Sequence, residues 1–344
     1  SEACWAAVRA EVEARKSRVT YRCVKTERAV AEYVPDPVTP PPHHGGAGVH
    51  MPTIIMALVP PANVGYNDRR VNTTGEMPRA SDIGAFRTVC DFSHMSNDDP
   101  ILYPGQQGRA HFHTFFGNTL ADYRSTPESL LTTGNSTCRG GILNRSSYWV
   151  PAMIDTRDGR PIRPRESNFY YKTGYLGVQP SQVVSFPPGF RMIAGNAAST
   201  GPQEFVRYSC GGINWQNSIP NCTSGNLEME VRFPQCWNGR DLTSPNGRTH
   251  VAYANGRGCP TDFPVALPEV STIILYPITN GSGNDSSTWR LSSDNYMGGP
   301  GGYSGHADWF HGWDQDTMNT WVTRVLQQSR DGGSHILGDG RIIY

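Results

Sequence analysis

Charge is scarce in this chain and evenly signed. Of 344 residues only 17% are Asp, Glu, Lys or Arg, and 30 basic side chains balance 30 acidic ones. A nucleic-acid binder carries a basic excess to neutralise phosphates, so that class loses support. No run of about 18 apolar residues occurs, so no helix is expected to span a membrane. Nor is there a C-x-x-C pair, which zinc ribbons and thiol redox motifs need. The G-x-S-x-G, H-E-x-x-H, G-x-x-x-x-G-K-S/T and G-x-G-x-x-G signatures are missing, which removes support for serine hydrolases of that fold, zincins and nucleotide binders.

Glycine (37), proline (27) and aromatic residues (10%) are plentiful. Disordered chains are poor in aromatics and rich in charge, so many turns and few long helices are expected instead. The eight cysteines are an even set at positions 4, 23, 90, 138, 210, 222, 236 and 259. Their spacing suits four disulfides formed in an oxidising compartment, with neighbours in sequence as the simplest pairing. Secretion follows as the expectation. Six N-x-S/T sequons, at Asn72, Asn135, Asn144, Asn221, Asn280 and Asn284, are compatible with it. Ser1, with no leader ahead of it, reads as a mature start.

Three regions differ in composition. Residues 1–34 form an arm in which Trp5, Val8 and Val12 share one helical face and Cys4 and Cys23 bracket the helix. Residues 35–50, PDPVTPPPHHGGAGVH, are a linker. An ordered linker of this kind wraps its own body or reaches a second subunit, which makes a homo-oligomer joined through residues 1–50 a partner expectation. Residues 51–344 form the main domain. Short aromatic or β-branched runs bounded by Gly, Pro, Asn or Asp predict strands near 53–59, 110–116, 148–153, 168–175, 182–186, 190–194, 204–209, 227–233, 250–254 and 271–276. The fold class is therefore mostly β: an antiparallel β-sandwich or jelly roll, disulfide-stapled, with few helices. One helix over 316–328 carries the apolar stripe Met318, Trp321, Val322, Val325 and Leu326.

The sharpest chemical signal is His111-Phe112-His113. Residues two apart in a strand share a face, so both imidazoles project together. They can bind a divalent metal or divide acid and base roles, or they can be hydrogen-bonded members of a polar sheet face. Upstream, the Asp-rich segment 91–101 offers Asp99 as a carboxylate, with a capped turn as the alternative. Near the C-terminus, His306 and Asp308 again share a face, and Trp309, Trp313 and Tyr303 offer surfaces for stacking on sugar rings. The alternative for the tryptophans is the core. His250 joins this set if His111, His113 and His306 converge on it. No organic cofactor is expected.

The motifs D-P-I-x-x-P-G at 99–105 and H-x-H-x-F-x-G-N at 111–118 resemble the secreted DUF1996 family of fungi and bacteria. The likeness runs on through Tyr148-Trp149-Val150-Pro151, the stretch from Phe186 to Gly195, Phe233-Pro234-Gln235-Cys236-Trp237, His250-Val251-Ala252-Tyr253 and the segment from His306 to Trp313. It covers roughly residues 85–325. The family name implies no activity, but some members are fused to sugar-binding or cell-wall modules. One departure stands out: the family pattern C-P-x-x-H-P reads Cys259-Pro260-Thr261-Asp262-Phe263-Pro264 here, with Phe263 in place of the His.

Together these readings lead to an enzyme acting on an extracellular polysaccharide, a glycoside hydrolase or lyase. Its centre is His111, His113, His306 and Asp308, supported by Asp99 and His250. For a hydrolase, Asp99 and Asp308 are the acid and base pair. The rivals are a non-catalytic carbohydrate-binding or structural protein and a His-ligated metalloprotein.

Overall fold

The computed structural model describes residues 50–344. Ahead of them it describes an antiparallel pairing of Thr20–Cys23 with Ala29–Glu32. The helix expected within residues 2–12, the bridge between Cys4 and Cys23, and the linker up to residue 49 lie outside the described residues.

Ten strands frame the chemistry of the chain: β1 (Ala85–Cys90), β2 (Phe92–Ser96), β3 (His113–Gly117), β4 (Ser147–Pro151), β5 (Glu166–Lys172), β6 (Arg191–Gly195), β7 (Val206–Cys210), β8 (Asn226–Arg232), β9 (Glu269–Pro277) and β10 (His306–Phe310). They build two facing sheets. The larger has eight strands, with β7, β8, β9, β5 and β1 adjacent in that order between short edge strands. The smaller has the order β6-β10-β4-β3-β2 and is antiparallel throughout. Asp91 alone separates β1 from β2, so the chain steps from one sheet to the other there. The mostly β expectation is met, as a sandwich.

Alternation explains the packing. In β5 burial alternates strictly, with Ser167, Phe169 and Tyr171 inward. On the small sheet, Met192, Trp309, Tyr148, Phe116 and Phe92 form one cross-strand row. That row meets the large sheet: Tyr148 stacks on Phe169 with ring centroids 3.7 Å apart, and Trp309 lies 6.0 Å from Tyr171. Trp309 and Trp313 are fully buried, and Trp313 Nε1 donates to the Tyr171 hydroxyl at 3.1 Å. Neither is an exposed sugar-stacking platform, which corrects that expectation. Trp309 neighbours Asp308, and the alternation that turns Asp308 one way turns Trp309 into the core.

Two further expectations change. Residues 53–59 hold a single 3-10 turn, Met56–Leu58, rather than a strand. Pro52, Pro60 and Pro61 flank it and withhold the donors a ladder needs. Residues 182–186 likewise form no ladder strand beyond the turn Pro180–Gln182. Conversely, sequence patterning does not reveal β1 and β2, and β2 lies within the Asp-rich segment expected to be a loop.

The disulfides Cys90–Cys138, Cys210–Cys222 and Cys236–Cys259 follow the expected neighbour pairing among the described residues. Such bridges each contribute typically about 2–4 kcal/mol. Two helices complete the frame. Helix α1 (Pro127–Thr132) is capped by Thr126, whose side chain accepts from the Ser129 amide. Helix α2 (Gln315–Trp321) runs on into a π turn, Val322–Leu326. Its expected stripe is buried, and Trp321 stacks on Phe86 of β1 at 4.9 Å.

Candidate metal centre

The outer face of the small sheet carries the chemistry. Register partners place Ile193, Asp308, Trp149, Phe115 and His94 in one row across five strands. Two residues along each strand, His306 on β10 and His113 on β3 share that face, with β4 between them. His113 pairs with Pro151, the last residue of β4. His111, just ahead of β3, turns back over them. Three imidazoles separated by nearly two hundred positions thus meet above one strand end.

Their orientations are set by backbone carbonyls. His113 Nδ1 donates to the Asp98 carbonyl at 3.0 Å, and His306 Nδ1 donates to the Ser304 carbonyl at 2.9 Å. Both rings therefore turn a bare Nε2 toward the centre. His113 Nε2 is buried without any hydrogen-bond partner. His306 Nε2 lies 3.0 Å from His111 Nε2, which donates to it when neutral, and 3.9 Å from Asp308 Oδ2. One nitrogen from each ring falls within 4.8 Å of the others.

The carbonyls are themselves held. Buried Asp294 accepts the Ser304 hydroxyl at 2.6 Å and the Gly302 amide at 2.8 Å. Asp98 Oδ1 accepts the Gly108 amide at 2.9 Å, and Asn97 and Ala110 bond each other across the loop base. Gly195 is the register partner of His306. Its φ is +81°, and a Cβ there would stand 2.8 Å from the His306 Cα, so no side chain fits.

Asp308 is buried, and neither carboxylate oxygen has a hydrogen-bond partner. Burial, then the charge of Asp99, pushes its carboxyl well above the usual range, with Arg248 opposing. Asp99 is also buried, and its Oδ1 accepts the Ile101 and Leu102 amides at 2.9 Å each. Burial raises it to about 6 against those bonds and Arg248. The imidazoles move the other way. Burial, with the neighbouring His306, takes His113 to about 3, and burial takes His306 to about 4. His111 is held well below its ordinary value by burial and the two other rings. All three are neutral at neutral pH, as metal ligation requires.

The residues expected at the site divide clearly. His111, His113, His306 and Asp308 come together, and Asp99 lies close enough to act on Asp308. His250 stands apart: its Nδ1 pairs with the Ser244 hydroxyl at 3.0 Å and its Nε2 with the Arg191 carbonyl at 2.9 Å. Tyr303 is half-buried beside Tyr296, with ring centroids 5.8 Å apart. Phe263, the departure from the family pattern, packs against the main core. Arg248 and Asp294 escape a reading of the sequence, because an isolated Arg in a turn and an Asp among serines carry no local signal.

The family model of a domain of unknown function (DUF1996) matches residues 99–313. That span contains every residue of the cluster. No curated protein matches the chain. No solved structure matches it.

Proposed function

This chain belongs to the DUF1996 family, and we propose that it is an extracellular protein in which His111, His113, His306 and Asp308 hold one divalent transition-metal ion. The observation that carries this reading is the donor set. Three neutral imidazoles converge, two with their Nδ1 atoms tied to carbonyls, beside a buried carboxylate with no partner. Buried polar atoms left unpaired are costly, and a cation satisfies the His113 nitrogen and both Asp308 oxygens at once. Imidazoles with a carboxylate suit zinc, copper or iron better than magnesium or calcium.

We place a polysaccharide as the substrate, cleaved by hydrolysis or elimination. The disulfides and the two clefts beside the centre, lined by Asp98 and by Arg248, support this reading. A metal ion at such a site supplies Lewis-acid polarisation of a substrate oxygen and an acidified water. The chain supplies orientation: Ser304 and Asp98 fix the rings, and Asp99, raised to about 6, is a carboxyl able to carry a proton near neutral pH. A second reading is metal-free acid–base cleavage by Asp99 and Asp308, favoured by the way the Asp99 charge helps to raise the Asp308 carboxyl.

Elemental analysis of purified protein, with turnover of a polysaccharide panel before and after chelation, separates them. One bound ion per chain and chelator-sensitive turnover is the expected result. Turnover indifferent to chelation favours the carboxylate pair. Absence of metal after reconstitution with zinc, copper, iron and manganese defeats the metal reading.

A further inference from the structure

Arg248 is fixed beside the centre without a charged partner. Its Nε donates to the Gly195 carbonyl at 2.9 Å and its Nη1 to the Asn246 carbonyl at 3.0 Å. Gly195 pairs with His306, so the carbonyl that holds the guanidinium lies one strand from that imidazole. Its charge reaches Asp99, Asp308 and His306. Among the described residues, however, no ion pair includes it. A guanidinium with unused N–H groups is a fork for a carboxylate.

On its other side Arg248 lines a cleft of about 290 Å³ together with Gly195, Gln203, Glu204, Phe205 and Tyr253. Phe205 and Tyr253 stack with centroids 3.7 Å apart and planes 15° from parallel. The Tyr253 hydroxyl donates to the Arg232 carbonyl at 2.7 Å, which holds this aromatic wall in place. Gln203 fixes the opposite rim, donating to the Tyr303 and Gly305 carbonyls at 2.7 and 2.9 Å. The cleft's volume falls near the lower end of small-ligand sites and suits one sugar ring.

We propose that this cleft is the substrate subsite of the centre and takes a carboxylate-bearing saccharide, a uronate residue whose carboxylate pairs with Arg248 while its ring lies on the Phe205–Tyr253 wall. The proposal rests on the metal reading for its link to chemistry, but the cleft can be tested separately. Arg248 lines the cleft, is held by two backbone carbonyls and enters no ion pair among the described residues, so an anionic ligand supplies the partner it lacks. The aromatic wall selects the apolar face of a ring over a bare anion. Exposed Glu204 at the rim opposes the ligand's charge and gives a second handle.

The experiment is isothermal titration of the full chain, zinc-loaded and chelated, with trimers of galacturonate, glucuronate and guluronate and with the neutral galactose trimer. At least one acidic trimer should bind about tenfold or more tighter than the neutral one. Arg248→Gln should abolish that preference while zinc uptake stays at the wild-type level, and Glu204→Gln should strengthen it. If Arg248→Gln fails to fold, Arg248→Lys keeps charge and stem but loses the fork, and should still reduce the preference. No preference for any acidic trimer, or a preference that survives both Arg248 substitutions, overturns the subsite. An Arg248-dependent preference in a chain that takes up no zinc supports the subsite and defeats the metal reading alone.

Discussion

His111 Nε2 lies 3.0 Å from His306 Nε2, although 195 positions separate the two residues. Since His306 Nδ1 already donates to Ser304, its Nε2 is bare, and the contact requires either a proton from His111 or a shared cation. Both histidines owe their meeting to β4, which holds β10 and β3 in register on either side of it.

Chelation and substitution of His111 should therefore act through one ion. His111 is the half-buried member of the set, so His111→Ala should cost the chelated protein only about 1 kcal/mol. In wild type, an ion present at a thousand times its Kd adds about 4 kcal/mol to stability. Calorimetry with zinc titrated in should show a rise in Tm for wild type and none for His111→Ala. An equal rise in both proteins would place the ion elsewhere.

Asp294 touches no metal-facing atom, yet it holds the turn whose Ser304 carbonyl orients His306. It is a positioning residue. Asp294→Asn should lower zinc affinity by about tenfold or more, as second-sphere substitutions do. It should also lower stability by about 2 kcal/mol, because an amide group then faces the Gly302 and Leu291 amides. Asp155→Asn is the control, since Asp155 is as deeply buried and accepts from Ser282, Thr288 and Arg157 away from the cluster. It should lose stability and keep zinc affinity.

Legibility followed the period-two rule. His306 and Asp308 are two apart within one strand, and that spacing alone places them on one face, whereas His111 lies ahead of the strand that starts at His113 and joins the cluster by turning back over it. The same rule places Trp309 on the face opposite Asp308, so the sugar-stacking expectation conflicted with information already present. His250 also sits in an aromatic, strand-like setting, but its partners Ser244 and Arg191 come from a turn and a neighbouring strand that no local pattern links to it. Arg248 and Asp294 act through carbonyls and long-range register, which leave no trace in spacing. In β1 the inward residues Phe86, Thr88 and Cys90 alternate with Ala85, Arg87 and Val89. The polar Thr and the small Ala blur the hydrophobic pattern there and hide the strand in the sequence.

His311 predicts a pH dependence that is independent of any metal. It is buried beneath the sheet end, where Nε2 donates to Gln315 Oε1 at 3.3 Å and Nδ1 accepts the Trp313 amide at 3.4 Å. That pattern fits one neutral tautomer and gives imidazolium no place. Burial lowers its pKa to about 4, with Gln315 opposing. Between about pH 6.5 and 4 the unfolded chain takes the proton and the folded chain does not. Stability is therefore present above about 6.5 and is lost as pH falls toward 4, by about 3 kcal/mol from this group. Urea midpoints of chelated protein should fall over that window, and His311→Asn should flatten part of the slope. An unchanged slope would show that other groups carry it.

Asp308→Asn should move two measurements in opposite directions. In the metal-free protein the carboxyl is raised by burial and by Asp99, so its contribution to stability is present at low pH and is lost as pH rises through its folded pKa. An isosteric amide carries no charge to desolvate, and metal-free Asp308→Asn should unfold at a higher urea concentration than wild type at pH 7. With zinc present the order should reverse. The anionic oxygen 3.9 Å from His306 Nε2 is the one charged donor of the set, and its loss should weaken zinc binding by about tenfold or more. A purely structural aspartate would give a loss in both conditions, because its removal would break bonds that the folded chain relies on. Neither Asp308 oxygen has such a bond to break. A fall in metal-free stability would therefore contradict the assignment of Asp308 as a ligand held in waiting, whatever its effect on zinc.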